Sequence, residues 1–525
     1  ERYVSLPIHA LIQGGKRVNV SGRWMARLVW STRQPTFAPD DSQAASAAAS
    51  APKALAQCPT TALDMDAHHS LRSISTPVSI NELLHSGDEL CRLECMHLGM
   101  KFQGKNIMSP LVANRAGMFN DALFLDAAAW STQTFIQNSS KDCGPKQYLQ
   151  MLRSGPRNVL YWDSASDPTA AAAIVTCGGI CPGLNSVIRE VVLMLKTYGI
   201  KKIYGIIGGY KGTVLPDTWI DLTEERVQDI HKEGGSILVS DRGNPPHSEI
   251  AASLKAQNIR QYFVLGGDGT QQGAFQTFEA MQEINYECSV VGIPKTIDND
   301  IALLDTSFGF DTACTEAAKA IDSGFVESST NANCIGLVKL MGRHCGFIAL
   351  HATLAARNVD ICLIPEMTVS KEKLLDYVAE VMLRKKQAVI VVAEGCGDTL
   401  LDSSLGSDAG GNKILADIGP YLKDEITAEM KRRLIPCSIK YIDPTYMIRS
   451  VPANAYDSLY CSLLAQQAVH GAMAGYTGVT VGKVDERYVM LPVHAVTSRG
   501  SRKVDTNGRM FERLMNTTRQ PSFAP

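Results

Sequence analysis

From Gln261 to Asp300 the chain reads QYFVLGGDGTQQGAFQTFEAMQEINYECSVVGIPKTIDND. Two apolar runs, Gln261–Leu265 and Cys288–Ile293, each end in an unusual polar cluster. The first leads into Gly266-Gly267-Asp268-Gly269-Thr270, the second into Pro294-Lys295-Thr296-Ile297-Asp298-Asn299-Asp300. Runs this continuous do not suit strands with one wet face. They suit parallel strands buried on both faces, with helices between. The same grammar recurs outward in both directions. Ala171–Thr176 leads to Cys177-Gly178-Gly179 and Pro182-Gly183, then to a helical period through Leu184, Val187, Ile188, Val191 and Leu195. Lys202–Ile207 closes on Gly208-Gly209, Ile335–Leu340 on Met341-Gly342-Arg343, Ile361–Ile364 on Pro365-Glu366, and Ala388–Ala393 on Glu394-Gly395. Ligands of open α/β sheets bind beyond the carboxyl ends of the strands. Nearly every unusual polar residue here falls at that end, which argues for an α/β enzyme.

The bulk properties agree. At about 150 residues per domain, 525 residues make room for roughly three compact units. A hydrophobic share of 45% and a charged share of 20% are ordinary for a soluble globular protein and exclude disorder over most of the chain. The 51 basic and 53 acidic residues leave a net charge of −2, which disfavours nucleic acid as a partner. No apolar run is long enough to span a membrane. The 14 cysteines lack zinc-site spacing, so free thiols in a reducing compartment are expected. No secretory signal follows Glu1.

The two ends of the chain repeat each other. Glu1–Pro39 (ERYVSLPIHA…STRQPTFAP) matches Glu486–Pro525 (ERYVMLPVHA…TTRQPSFAP) at roughly half its positions, with one single-residue offset. Residues 1–39 therefore read as an orphan C-terminal segment of an upstream copy, from a tandem protein or a fused gene model. Residues 40–70 read as an Ala/Ser-rich linker (DDSQAASAAASAPKALAQ and beyond) and 71–167 as an N-terminal extension packed on the main unit. The unit itself covers 168–525, with one lobe at about 168–310 plus 446–495 and the other at about 311–445 plus 496–525.

The clusters share a chemical theme. Glycines before a helix let the backbone approach a phosphate, and the helix N-terminus favours its charge. Asp268, beside such a phosphate, suits a Mg²⁺ ion. A tight capped turn would use the same residues, and packing glycines would explain Cys177–Gly183 equally well. Asp298 and Asp300, two apart at a strand end, can face one cleft, and a hydroxyl that attacks phosphorus needs a base to take its proton. An Asx-rich turn is the bland alternative. Arg242, Arg343 and Arg449 sit near loop motifs, where guanidinium forks suit phosphate. Glu394 could accept hydrogen bonds from sugar hydroxyls.

Together GGDGT, PKTIDND, KLMGR, VAEG and KYIDPTYMIR resemble the phosphofructokinase family, over about Ser154 to Pro525. The nearest group is the plant, algal and trypanosomatid ATP-dependent one, which carries TCGG.CPGLN and PKTIDND. The resemblance implies two Rossmann-like three-layer lobes with mainly parallel sheets, and transfer of a phosphoryl group from ATP to fructose 6-phosphate with Mg²⁺. It implies Asp298 as proton acceptor and Asp268 as metal ligand. Gly179, Arg242, Gly243, Gly267, Asp268, Gly269 and Thr270 would contact nucleotide. Thr296, Ile297, Asp298, Met341, Gly342, Arg343, Glu394, Tyr446, Met447, Ile448 and Arg449 would contact the sugar phosphate. Gly269 and Lys295 would set donor choice: an aspartate at the first position marks pyrophosphate users, and the plant-like ATP group combines this glycine with a lysine. An allosteric homotetramer in the cytoplasm, or in the plastid stroma, is the family expectation. Two residues depart from the bacterial pattern. Cys334 lies near a position where a neighbouring subunit's arginine is usual, and Tyr446 replaces a histidine. A pyrophosphate-dependent enzyme, a NAD or lipid kinase, and a silent regulatory copy are the competing readings.

Overall fold

In the computed structural model, residues 72–74, 90–113, 124–126, 129–135, 147–241, 243–400, 416–498 and 500–525 are described. All lie in the unit Ser70–Pro525. The segment 1–39 and the linker 40–70 fall outside the described residues, as does Arg242.

The run Ala171–Thr176 explains why the strands read as unbroken apolar stretches. It forms a strand whose six residues are all buried. Its side chains alternate between faces, and the two faces feed different cores. Ala172 and Ile174 join Val187, Ile188, Val191 and Leu195 of the helix Leu184–Thr197. Ala171, Ala173 and Val175 join Tyr210, Ile250, Leu254, Ala274 and Met281 on the other side. Every position is thus an inside position, and period-2 alternation has nothing polar to show.

Around it, among the described residues, lies an eleven-stranded sheet. Its central part is parallel: Lys202–Ile206, Ala171–Thr176, Ile259–Gly266, Ser289–Pro294 and Val479–Val484 lie side by side in that order. The rest is mixed. Val479–Val484 turns through Asp485 and Glu486, both at positive φ, into the antiparallel strand Arg487–Pro492. That strand pairs with Gln147–Arg153, through Val489 opposite Arg153 and Met490 opposite Leu152. Gln147–Arg153 in turn carries Leu90–Leu93 on one side and Trp130–Phe135 beside it. The described strands of the N-terminal region therefore continue the sheet. A second sheet holds four parallel strands in the order Ile361–Leu363, Gln387–Ala393, Cys334–Leu340, Ser438–Ile442. The α/β class with mainly parallel sheets expected from the apolar runs is what the structure has.

Candidate active site

A cleft of about 710 Å³ opens where the parallel strands end. On one wall the helix Asp268–Glu283 starts directly after its strand, so its first N–H groups face the cleft free of intrahelical partners. A Cβ placed on Gly269 or on Gly179 would meet nothing within 4 Å. Packing does not demand glycine at either position; the bare backbone leaves the space to a ligand. Beside this wall Tyr210 donates its hydroxyl to the carbonyl of Thr270 at 2.6 Å. The buried Gln271 amide ties Gly266 (3.1 Å) to Ile293 (3.2 Å), holding two strand ends together.

The PKTIDND turn forms the floor. Thr296 donates its hydroxyl to Asp300 Oδ1 at 2.8 Å and accepts the Asp298 N–H at 3.2 Å. Asp298 Oδ1 is buried without a protein partner, and so is Asp268 Oδ1. A native fold rarely leaves carboxylate oxygens this way unless something else binds there. Burial pushes the Asp298 carboxyl up to about 8, and the charges of Asp300 and Glu394 add to this against Arg343 and Lys295. Burial and the charge of Asp300 lift Asp268 to about 6. Glu394 is also raised by burial, opposed by Arg343 and Lys339.

The second sheet supplies the opposite wall. Its strands Cys334–Leu340 and Gln387–Ala393 deliver Met341, Arg343 and Glu394. Gly342 does not line the cleft. It holds the turn at φ +126°, where a Cβ would stand 2.5 Å from the Cys345 carbonyl, and its own carbonyl accepts Gly395 N at 3.0 Å. The short helix Thr445–Arg449 completes the wall, with Thr445 and Arg449 facing in. Asp443 holds its first residue, accepting from Thr445 N at 3.1 Å and Oγ1 at 2.6 Å. Lys339 anchors that carboxylate through ion pairs to Asp443 at 2.8 Å and Asp417 at 3.0 Å.

Fifteen of the residues singled out in the sequence thus meet at one cleft: Gly179, Gly243, Gly267, Asp268, Gly269, Thr270, Lys295, Thr296, Ile297, Asp298, Asp300, Met341, Arg343, Glu394 and Arg449. Four expected sugar-phosphate contacts do not: Gly342, which holds its turn, and Tyr446, Met447 and Ile448. Residues 445 and 449 are one helical turn apart and share the inward face, so the three between them point elsewhere. Ile448 is fully buried in the core, while Tyr446 and Met447 are 74% and 72% exposed. Tyr446 instead lies under the Arg449 guanidinium at 4.9 Å. The cleft also has walls the sequence reading missed: Tyr210, Asp241, Asn244, His344, Thr445 and Ser501. Five of them adjoin or lie within recognised motifs (Asp241 and Asn244 around Arg242-Gly243, His344, Thr445, and Tyr210 after its glycine pair), which was the available signal. Ser501 has no such neighbour. Among the described residues no group of three or more His, Cys, Asp or Glu side chains could hold a metal ion unaided.

The phosphofructokinase family description matches residues 171–472, more than half of the chain. This chain belongs to the phosphofructokinase family. It is 49% identical to the ATP-dependent 6-phosphofructokinase 7 of Arabidopsis thaliana over 387 residues, covering 72% of this chain and 79% of that one. It is 45% identical to the chloroplastic ATP-dependent 6-phosphofructokinase 4 of the same plant, covering 75% of each. Among solved structures, the pyrophosphate-dependent phosphofructokinase of Marinobacter aquaeolei superposes with a TM-score of 0.56 at 19% identity, over 68% of this chain and 93% of that one. That last likeness speaks for the phosphofructokinase fold alone.

Proposed function

We propose that the chain is an ATP-dependent 6-phosphofructokinase, moving the γ-phosphoryl group of ATP to the 1-hydroxyl of fructose 6-phosphate and releasing fructose 1,6-bisphosphate and ADP. The observation that carries this reading is the pairing, across one cleft, of the unsatisfied Asp298 oxygen with the side-chain-free Gly269.

In this reading the ATP phosphates lie on the amino end of the helix Asp268–Glu283 and against Gly179. Arg343 and Arg449 hold the 6-phosphate as guanidinium forks, and Glu394 accepts from sugar hydroxyls. Asp298 takes the proton of the 1-hydroxyl as its oxygen bonds to the γ-phosphorus. The bond from that phosphorus to the β–γ bridging oxygen breaks and ADP leaves. Arg343 and Lys295 bring Asp298 down toward its ionised form, as a base working near neutrality requires. The residues suit Mg²⁺, since Asp268 has a buried, unpartnered oxygen and a carboxyl raised by burial and by the charge of Asp300. Such an ion needs only one or two carboxylates beside phosphates and water. When bound, it would neutralise phosphate charge.

We propose a homotetramer, with the exposed Tyr446 and Met447 meeting a neighbouring copy beside the cleft. We place the enzyme in the cytoplasm, with the plastid stroma as the alternative that the chloroplastic relative suggests. No helix among the described residues is long and apolar enough to cross a membrane. The deciding experiment supplies fructose 6-phosphate with ATP and with pyrophosphate in parallel. Turnover with ATP is expected; turnover with pyrophosphate only would overturn the donor assignment, and turnover with neither would overturn the reaction.

A further inference from the structure

Behind the catalytic turn runs a stretch of the C-terminal segment, Arg502–Val504, that touches both walls of the cleft. Its first residue holds the side that carries Asp298. Arg502 donates its backbone N–H to the Asp300 carbonyl at 2.6 Å and its guanidinium to the Leu304 carbonyl at 2.8 Å. The same guanidinium lies 4.8 Å from the ring centroid of Phe347, which opens the helix Phe347–Ala356 behind Arg343. Two residues on, the Val504 N–H bonds Glu366 Oε1 at 2.8 Å. Both oxygens of that carboxylate also accept the Gly346 N–H at 3.1 Å. A Cβ at Gly346 would stand 2.3 Å from the Cβ of Ile364 and 3.1 Å from Glu366 Oε2, so glycine is what lets the carboxylate close on the backbone. Cys345 adds a thiol contact to the Asp298 carbonyl at 3.3 Å.

These bonds form one continuous chain: Asp300 carbonyl, Arg502, Phe347 and Gly346, Glu366, Val504. None of its side chains lines the cleft. A brace of this kind is over-determined for a tail that only needs to cover a core. It suits a geometry in which a proton acceptor and a phosphate-binding arginine, carried by different sheets, must stay at one spacing, because small displacements cost large factors in rate. We infer that Arg502 and Glu366 are positioning residues for phosphoryl transfer: the C-terminal strap fixes the Asp298 turn against the Arg343 loop. The inference rests on the function proposed above for its kinetic part, and on the geometry alone for its structural part.

Two measurements on the full chain separate those parts, using Arg502→Met, Arg502→Lys and Glu366→Gln beside the wild type. The first is hydrogen–deuterium exchange. Faster exchange is expected in Arg502→Met and Glu366→Gln, confined to about residues 295–305 and 343–350, with the helix Asp268–Glu283 unchanged. Unaltered exchange there, or loss of protection throughout the chain, would overturn the brace whether or not the protein is a kinase. The second is steady-state kinetics. Arg502→Met is expected to lower kcat at least tenfold and leave the KM for ATP within twofold, while Arg502→Lys, which can still reach the Leu304 carbonyl, recovers most of kcat. An unchanged kcat in Arg502→Met, or a loss that Arg502→Lys shares in full, would overturn the positioning role. A wild type inactive on both donors would overturn the proposed function and leave the exchange result to decide the brace.

Discussion

The ammonium of Lys295 donates to the carbonyl of Gly179, and the backbone N–H of the same lysine bonds the Gly266 carbonyl at 2.9 Å. One residue thus links three strand-end loops: the glycine loop at 177–179, the GGDGT loop and its own PKTIDND turn. Lys295 is 7% exposed, so most of its side chain is committed to this crossing. Lys295→Met keeps the buried stem and removes the charged tip. We expect the KM for ATP to rise about tenfold, near 1.4 kcal/mol, which is within the range of one charge-assisted hydrogen bond. Titrating ATP at saturating fructose 6-phosphate checks this.

Gly269 stands at the first turn of its helix with open space where a side chain would go. Gly269→Asp should therefore fold normally and fail chemically, because its carboxylate would occupy and repel the phosphate site. We expect kcat/KM for ATP to fall about 100-fold or more, which is about 2.7 kcal/mol, with an unchanged melting temperature. A folded variant with normal ATP use would end the steric account of donor choice.

In the proposed reaction Asp298 takes the proton of the attacking hydroxyl. Asp298→Ala should lower kcat by about 10²–10⁴-fold, the usual worth of a positioned base, with little change in KM. The same residue predicts the pH profile. A base must be ionised, and this carboxyl is pushed up to about 8, so activity should climb as pH rises towards 8 and fall off on the acid side. Bound substrates will shift that limb, so log kcat/KM, which reports the free enzyme, is the quantity to plot. A limb near pH 4 would mean that Asp298 is not the titrating group.

Stability should show the opposite trend. The folded pKa of Asp298 lies above the ordinary carboxylate value, so between about pH 4 and 8 the folded state binds the proton that the unfolded state releases. Folding stability from this group is therefore present at low pH and is lost as pH rises toward 8, the reverse of a salt-bridged aspartate. Asp298→Asn removes the buried charge and should raise the melting temperature by about 4 °C or more at pH 8. Little difference is expected at pH 4, and calorimetry at both values tests it.

Lys339 sits outside the cleft but governs one of its walls through Asp443, which bonds Thr445 at the start of the helix that also bears Arg449. In Lys339→Met the KM for fructose 6-phosphate should rise about tenfold (about 1.4 kcal/mol), with the KM for ATP unaffected. If both constants moved together, Lys339 would be supporting the fold at large and not this wall.

Much of the cleft was readable because chemistry accumulates where buried strands stop. Gly267–Thr270, Thr296–Asp298, Arg343 and Glu394 were visible as polar interruptions after apolar runs, and strand register brings such ends to one level. Two kinds of feature escaped that logic. Ile448 and Met447 lie inside a motif, but a five-residue helix turns successive side chains about 100° apart, so adjacency in the chain says little about direction. Ser501 and the pairing of Gln147–Arg153 with Arg487–Pro492 join segments hundreds of residues apart, with no local pattern announcing the partner. The antiparallel hairpin at Asp485-Glu486 was missed for a related reason. Its strands are as apolar as the parallel ones, because Val489, Met490 and Leu491 are all fully buried.

The seam between Gln147–Arg153 and Arg487–Pro492 has a practical corollary for anyone trimming this enzyme to its family core. A version starting at residue 168 would keep every cleft-lining group yet strip the neighbour from Val489 and Met490, baring a greasy ribbon of unmet backbone donors and acceptors. Such a protein would be expected to clump through that raw margin before its catalysis could be measured.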